Sequence, residues 1–188
     1  MVGKPSKLKK NKPLLGNHQK CWIWGRNAVR DTLFAGFWPM YELHLSDHLK
    51  SEEIEQLEQQ AARSSVPVFI STDKELTQKC RASDHQGMIA KMAPFPYTSI
   101  ELFNQQEITS PLFLILDRIQ DPFNFGAIIR SAEIMGADGI FSGTHEQCEV
   151  TSLVCRTSAG AVNHVPLVQA TDLVSLCRDW KQNGINIV

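Results

Sequence analysis

The sequence contains no apolar run approaching the roughly 18 residues that a membrane helix needs, and its first residues have no hydrophobic core of the signal-peptide kind. A cytoplasmic setting without a membrane partner is therefore expected. Excess charge is also lacking. A net charge of −1 gives no global mark of a polyanion-binding protein, so any nucleic-acid site must be local. The five cysteines, at 21, 80, 148, 155 and 177, are odd in number and show no C-x-x-C spacing. They read as reduced, mostly buried thiols, with no disulfide framework and no metal site. His44 and His48 lie four apart, but a strand end and turn fall between them and no carboxylate motif accompanies them. No G-x-G-x-x-G or P-loop string occurs, which argues against a generic nucleotide-binding α/β protein.

A β-loop-α-β unit dominates what is there, LFLILDRIQDPFNFGAIIRSAEIMGADGIF, residues 112–141. Leu112 to Leu116 reads as a strand buried on both faces. Asp117 to Asn124 is a polar turn with Asp121-Pro122 as breaker. A helix follows, with Ile128, Ile129, Ala132 and Met135 on its buried face. Gly136 stops it, and Gly139-Ile140-Phe141 resumes as a strand. The sheet should be parallel, with ligands gathering near the loop. Two readings of the polar residues stand side by side. In one, Asn124 caps the helix, Gly126 permits close helix–sheet packing, and Arg130 and Glu133 form an exposed ion pair. In the other, they carry function.

At 188 residues with 43% hydrophobic content, the chain suits one large domain or two small ones. Residues 1–20 hold Lys4, Lys7, Lys9, Lys10, Lys12 and Lys20 and no acidic residue, which predicts a basic flexible arm. It is either a solvated tail or, through residues such as Lys9 and Lys10, a phosphate-attracting one. Residues 21–97 alternate strands (Cys21–Trp24, Tyr41–Leu45, Pro67–Ile70, Met88–Ala93) with helices (Asn27–Phe34, a helix capped by Ser51 and running to Ser64, and Asp73–Cys80), a small α/β/α domain. Arg26 and Arg30, four apart on the first helix, are candidate phosphate contacts or plain solvent-facing charges. His85 reads as part of a turn. Pro94, Pro96 and the polar run 98–110 form a linker. In residues 111–188, His145 to Val150 is a connection, Ser152 to Gly160 a helix, Thr171 the cap of a helix reaching Asn183, and Ile185 to Val188 the start of a last strand.

Taken as an ordered set, D-x-x-x-D-P-x-N-x-G-x-x-x-R-x-A, formed by Asp117, Asp121, Pro122, Asn124, Gly126, Arg130 and Ala132, resembles the first signature motif of the SpoU family of RNA ribose 2′-O-methyltransferases, in the knotted SPOUT superfamily. Gly25-Arg26-Asn27-Ala28-Val29 and His85-Gln86-Gly87 resemble the opening and closing strings of the ribosomal-protein-L30e-like substrate-binding domain that precedes many SpoU catalytic domains. Cys155-Arg156-Thr157-Ser158-Ala159-Gly160-Ala161, with Val165-Pro166, is similar to a later S-x-G-A…V-P segment; Ser158 there serves packing around Gly160 or chemistry.

The resemblance implies an α/β chain: an L30e-like domain, then an incomplete parallel-sheet domain of the trefoil-knot type. It implies S-adenosylmethionine-dependent methylation of a ribose 2′-hydroxyl in structured RNA, with ribosomal RNA favoured over transfer RNA, and a homodimer formed through the completed knot region. Arg130 and Asn124 would be the catalytic pair, and Arg26, Arg30, Lys9 and Lys10 RNA contacts. A guanidinium has no acceptor and a pKa above about 12, so Arg130 suits clamping the adjacent phosphate or stabilising an alkoxide better than acting as base. The family's second and third motifs, which make most of the cofactor pocket, are not found here, so no cofactor-binding residue is expected within this chain. A non-catalytic RNA-binding protein is the alternative.

Overall fold

In the computed structural model, residues 21–103 and 110–188 are described. Lys9 and Lys10 lie outside them.

The first unit is a three-layer sandwich. Its strands are β1 (Trp22–Trp24), β2 (Met40–Ser46), β3 (Val68–Ser71) and β4 (Met88–Met92), in the order β1-β4-β2-β3. Only β2 and β3 run parallel, because helix α2 (Ser51–Arg63) makes the crossover between them; β4 is antiparallel to both β1 and β2. Strand alternation sorts the side chains to two cores. Ile23, Leu43, Leu45, Met88 and Ala90 meet α1 (Arg26–Ala35) and α2 on one face; Trp22, Trp24 and Ile89 meet Leu76 and Cys80 of α3 (Asp73–Cys80) on the other. A capping box starts α3: the Thr72 side chain accepts from the Glu75 N–H while the Glu75 carboxylate accepts from the Thr72 N–H. Helix α2 starts differently from its predicted form. Ser51 is its first helical residue, Lys50 occupies the cap position, and no side chain caps it. Glu52 and Glu53 supply the favourable charge in its first turn instead.

The second unit is a parallel sheet in the order β5-β6-β7, formed by β5 (Phe113–Leu116), β6 (Gly139–Gly143) and β7 (Leu167–Ala170). The central β-loop-α-β unit is present as expected, with helix α5 (Pro122–Ile134) between β5 and β6. Some of its details differ. Strand β5 is half-buried along most of its length and Leu112 is exposed, because β5 is an edge strand with a neighbour on one side only. Met135 is 74% exposed, because the helix has ended at Ile134 and Met135 is its C-terminal cap; Phe125, Ile129 and Ala132 form the buried stripe. The stretch described as linker carries the short helix α4 (Ile100–Phe103). Thr98 bridges Val168 beside β7, and the Phe103 ring packs on Phe113 and Phe141.

The last third of the chain holds a strand that apolar alternation does not mark. Leu167–Ala170 is β7, paired with β6, and three of its four residues are buried. Helix α6 (Ser152–Thr157) is shorter than expected, and a 3-10 turn at Ala161–Asn163 leads from it into β7. Helix α7 (Leu173–Gln182) is capped by Asp172, whose carboxylate accepts from the Ser175 N–H, and not by Thr171. Ile185 to Val188 forms no strand.

The two units share one apolar core. Phe125, Ile129, Val154, Cys155, Ala161 and Val162 from the second are continuous with Val29, Leu33 and Leu43 from the first. Phe125 is fully buried at the centre of this seam. Phe125→Ala should therefore cost about 3–5 kcal/mol, read as a lowered urea midpoint of a single transition. Two separated transitions would show that the units unfold independently.

Candidate functional site

The loop after β5 is built around one carboxylate. Asp121 Oδ1 accepts from the Phe123 and Asn124 N–H groups at 2.8 and 2.9 Å, the N-cap arrangement, and Pro122 occupies the first helical position where no donor is lost. Asp121 is thus the cap, and Asn124 is the third helical residue, its amide left to solvent. The Ile119 N–H donates to Gln147 Oε1 and the Ile119 carbonyl accepts from the Cys148 N–H, tying this loop to the connection after β6. Tyr97 holds that connection from the other side, its hydroxyl accepting from the Val150 N–H at 2.9 Å. Burial raises the Tyr97 pKa, which keeps the phenol neutral.

Arg130 is exposed and, among the described residues, has neither ion-pair nor hydrogen-bond partner; the suggested pair with Glu133 is not made. Asn124 and Arg130 stand six residues apart, so they lie about 9 Å apart along the helix on faces roughly 120° apart. Their side chains therefore leave the helix in different directions.

Gly126 is where α5 meets α6, a helix–helix contact and not the helix–sheet contact expected. A Cβ there would fall 1.9 Å from Thr157 Oγ1 and 2.9 Å from the Ser158 backbone nitrogen. Thr157 Oγ1 also donates to the Leu153 carbonyl, and the Pro122 carbonyl of α5 lies 3.2 Å from it. Ser158 is fully buried and donates to the Cys155 carbonyl at 3.0 Å, the packing role of its two alternatives.

Helix α6 then carries two residues into the first unit. Arg156 Nη2 donates to Asp84 at 2.7 Å, and its guanidinium lies 5.4 Å from the Trp24 ring centroid. The Trp24 indole N–H donates to the other Asp84 oxygen at 2.8 Å. Partial burial pushes the Asp84 carboxyl up, but the hydrogen bonds from Arg156 and Trp24 outweigh it and hold the pKa below the ordinary value. Cys155 sits in the seam beside Thr32, where desolvation, opposed by the Thr32 contact, pushes its thiol up to about 11. Asn163 Nδ2 donates to Thr32 Oγ1 at 3.2 Å and to the Gly160 carbonyl at 3.1 Å, a buried polar tie across the same seam. Cys155 and Arg156 stand in a string noticed in the sequence, but their cross-unit pairing was not legible there, since 72 positions separate Arg156 from Asp84 and no local pattern links them.

The candidate RNA contacts fall nearby. Arg26 pairs with Glu53 of α2, and Arg30 is exposed, its guanidinium 5.5 Å from the Phe34 ring. Both are turned towards α2, and the Arg26 side chain stays 49% exposed beside its Glu53 partner. His85 is buried as well as in a turn. Its Nδ1 accepts from the Gly87 N–H, so Nε2 carries the proton and faces Thr77 Oγ1 at 3.0 Å. His44 lies between the Phe69 ring and Glu42, with burial lowering its pKa against the pull of that carboxylate.

A substrate-type module joined to a parallel-sheet module is the plan of the SpoU methyltransferases. Residues 22–98 match the family profile described as RNA 2′-O ribose methyltransferase substrate binding, and residues 111–188 match the SpoU rRNA methylase profile. A TrmH-family protein of Staphylococcus saprophyticus, named as a tRNA/rRNA methyltransferase, is 31% identical over 169 residues, covering 88% of this chain and 67% of its own. A Bacillus subtilis protein named in the same way is 29% identical over 92% of this chain and 70% of its own. Among solved structures, an AdoMet-bound rRNA methyltransferase from Sinorhizobium meliloti superposes with a TM-score of 0.69 at 24% identity, over 88% of this chain and 59% of that one. The chain belongs to the SpoU (TrmH) methyltransferase family. It spans 59% of the length of that solved relative.

The described residues beyond the carboxyl ends of β5 and β6 do not by themselves fit an S-adenosylmethionine pocket. Asp117, Arg118, Asp121 and 144–146 are exposed and polar and form no apolar slot for an adenine.

Two outcomes follow. Gly126→Ala should force α6 off α5 and destabilise the chain by more than about 3 kcal/mol, measured by chemical denaturation. Asp84→Asn should lower the melting temperature at neutral pH. Because the Asp84 pKa is lowered on folding, its contribution is present above the unfolded value, near 4, and is lost as pH falls through the folded one. The wild-type advantage over Asp84→Asn should therefore disappear in melts run progressively below about pH 4.

Proposed function

We propose that the protein of which this chain is part methylates a ribose 2′-hydroxyl in structured RNA with S-adenosylmethionine as methyl donor, ribosomal RNA being the favoured substrate and a homodimer in the cytoplasm the working form. The observation that carries this reading is the order of the two modules, substrate-binding then methylase, packed on one core with an unpartnered arginine exposed on α5. In this reading Arg130 clamps the phosphate beside the target ribose, where its planar fork can hold two oxygens. Asn124 orients the RNA strand at the head of the same helix. The 2′-hydroxyl marks the substrate as RNA. Lys9 and Lys10 would add salt-sensitive phosphate contacts.

Transfer of radiolabelled methyl groups from S-adenosylmethionine to ribosomal and transfer RNA, followed by nucleoside analysis for 2′-O-methylation, tests the reading. Arg130→Ala should lower the rate about 10²-fold while RNA affinity changes less than about threefold. Equal losses of affinity and rate would assign Arg130 to binding. RNA binding without methylation of any nucleotide would support the non-catalytic alternative.

A further inference from the structure

The three short strings Gly25–Ala28, His85–Gly87 and Cys155–Gly160 come from distant parts of the chain, and the fold brings them to the walls of one cleft. It lies between the two modules, has a volume of about 260 Å³, and is lined by Trp24, Asn27, Asp31, Gln86, Arg156 and Gly160 among others. Arg26 and Arg30 occupy the neighbouring stripe of α1, while Asn27 and Asp31 occupy the stripe facing the cleft.

We propose that this cleft binds a single unstacked guanine base of the RNA. The inference rests on the RNA reading above and names the nucleotide that the junction of the modules recognises. Three features of the walls support it. The first is Asp31, a half-buried carboxylate that, among the described residues, has no ion pair or hydrogen bond. Gly160 keeps it accessible, since a Cβ at that position would lie 3.1 Å from Asp31 Oδ2 and 3.2 Å from Asp31 Cβ. A carboxylate offers two adjacent acceptors. Guanine alone among the four RNA bases presents two adjacent donors on its Watson–Crick edge, N1–H and the N2 amino group.

The second feature is Gln86. Its Oε1 accepts from the Arg26 backbone N–H at 3.0 Å, which fixes the amide orientation and leaves the NH₂ group to donate. Guanine O6 lies next to N1–H and needs a donor. Two acceptors and a donor, supplied by Asp31 and Gln86, complement that edge; adenine and cytosine place an acceptor where Asp31 requires a donor. The third feature is Arg156. Asp84 and Trp24 hold its guanidinium plane in place at the wall, and guanidinium planes are surfaces on which unpaired bases stack. At about 260 Å³ the cleft is just below the usual size range of small-ligand pockets, which suits a base and not a helix.

Fluorescence-anisotropy titration of the 188-residue chain with labelled uridine heptamers provides the test, the central base being guanine, hypoxanthine, adenine or uracil. Guanine should bind about tenfold or more tightly than adenine. Hypoxanthine, which keeps N1–H but lacks the N2 amino group, should fall between them. Asp31→Asn should abolish the guanine preference, bringing the guanine, hypoxanthine and adenine oligomers to within about twofold of one another. Equal affinity for the guanine, hypoxanthine and adenine oligomers, with RNA binding intact, overturns the proposal and leaves the RNA reading standing. A guanine preference unchanged in folded Asp31→Asn likewise overturns it. If that variant does not fold, the order of the three bases in the wild type decides. No binding to any oligomer or to ribosomal RNA removes the RNA reading and this inference together.

Discussion

Much of the second unit depends on one residue having no side chain. Gly126 lets α5 lie against α6 so closely that a methyl group would overlap the Thr157 hydroxyl. Only at that separation does α6 reach the first unit with Cys155 buried in the seam and Arg156 at its edge. A steric fact inside one module therefore sets the relation between both. The hydrogen bond of Arg156 to Asp84 is exposed at the edge and is an orienting contact; the apolar seam around Phe125 supplies the cohesion.

The α5 motif combines parts with different duties. Asp121 and Pro122 start the helix, and Gly126 and Ala132 let it pack. Asn124 and Arg130 contribute nothing to either task and lie on separate exposed faces. Exposed polar residues without a folding duty, set in a motif whose Asp121, Pro122, Gly126 and Ala132 have one, are where surface chemistry is to be sought.

The fold was legible where periodicity was strong. The β-loop-α-β unit, the three helices of the first module and the parallel sheet all follow from apolar spacing and turn residues. It was not legible where a strand had four residues and no alternation: Leu-Val-Gln-Ala at 167–170 gives too short a signal, and its identity as β7 comes from pairing with β6. Cap assignments slipped by one to three residues, Asp172 for Thr171 and Asp121 for Asn124, because several cap-forming side chains adjoin and only backbone geometry selects among them. The cleft was the least accessible part. Its three strings could be noticed singly, but the seam that joins them is a property of packing.

The buried thiol at the seam gives the junction a chemical signature. Burial pushes the Cys155 thiol up to about 11 and leaves it without exposed surface at the base of the cleft, so little of it is thiolate at neutral pH and its alkylation is slow while the modules are docked. Movement of α6 away from α1, where Thr32 Oγ1 lies 3.6 Å from its sulfur, exposes it. The rate at which Cys155 is alkylated, read by mass spectrometry of its own peptide, therefore reports the opening of this seam.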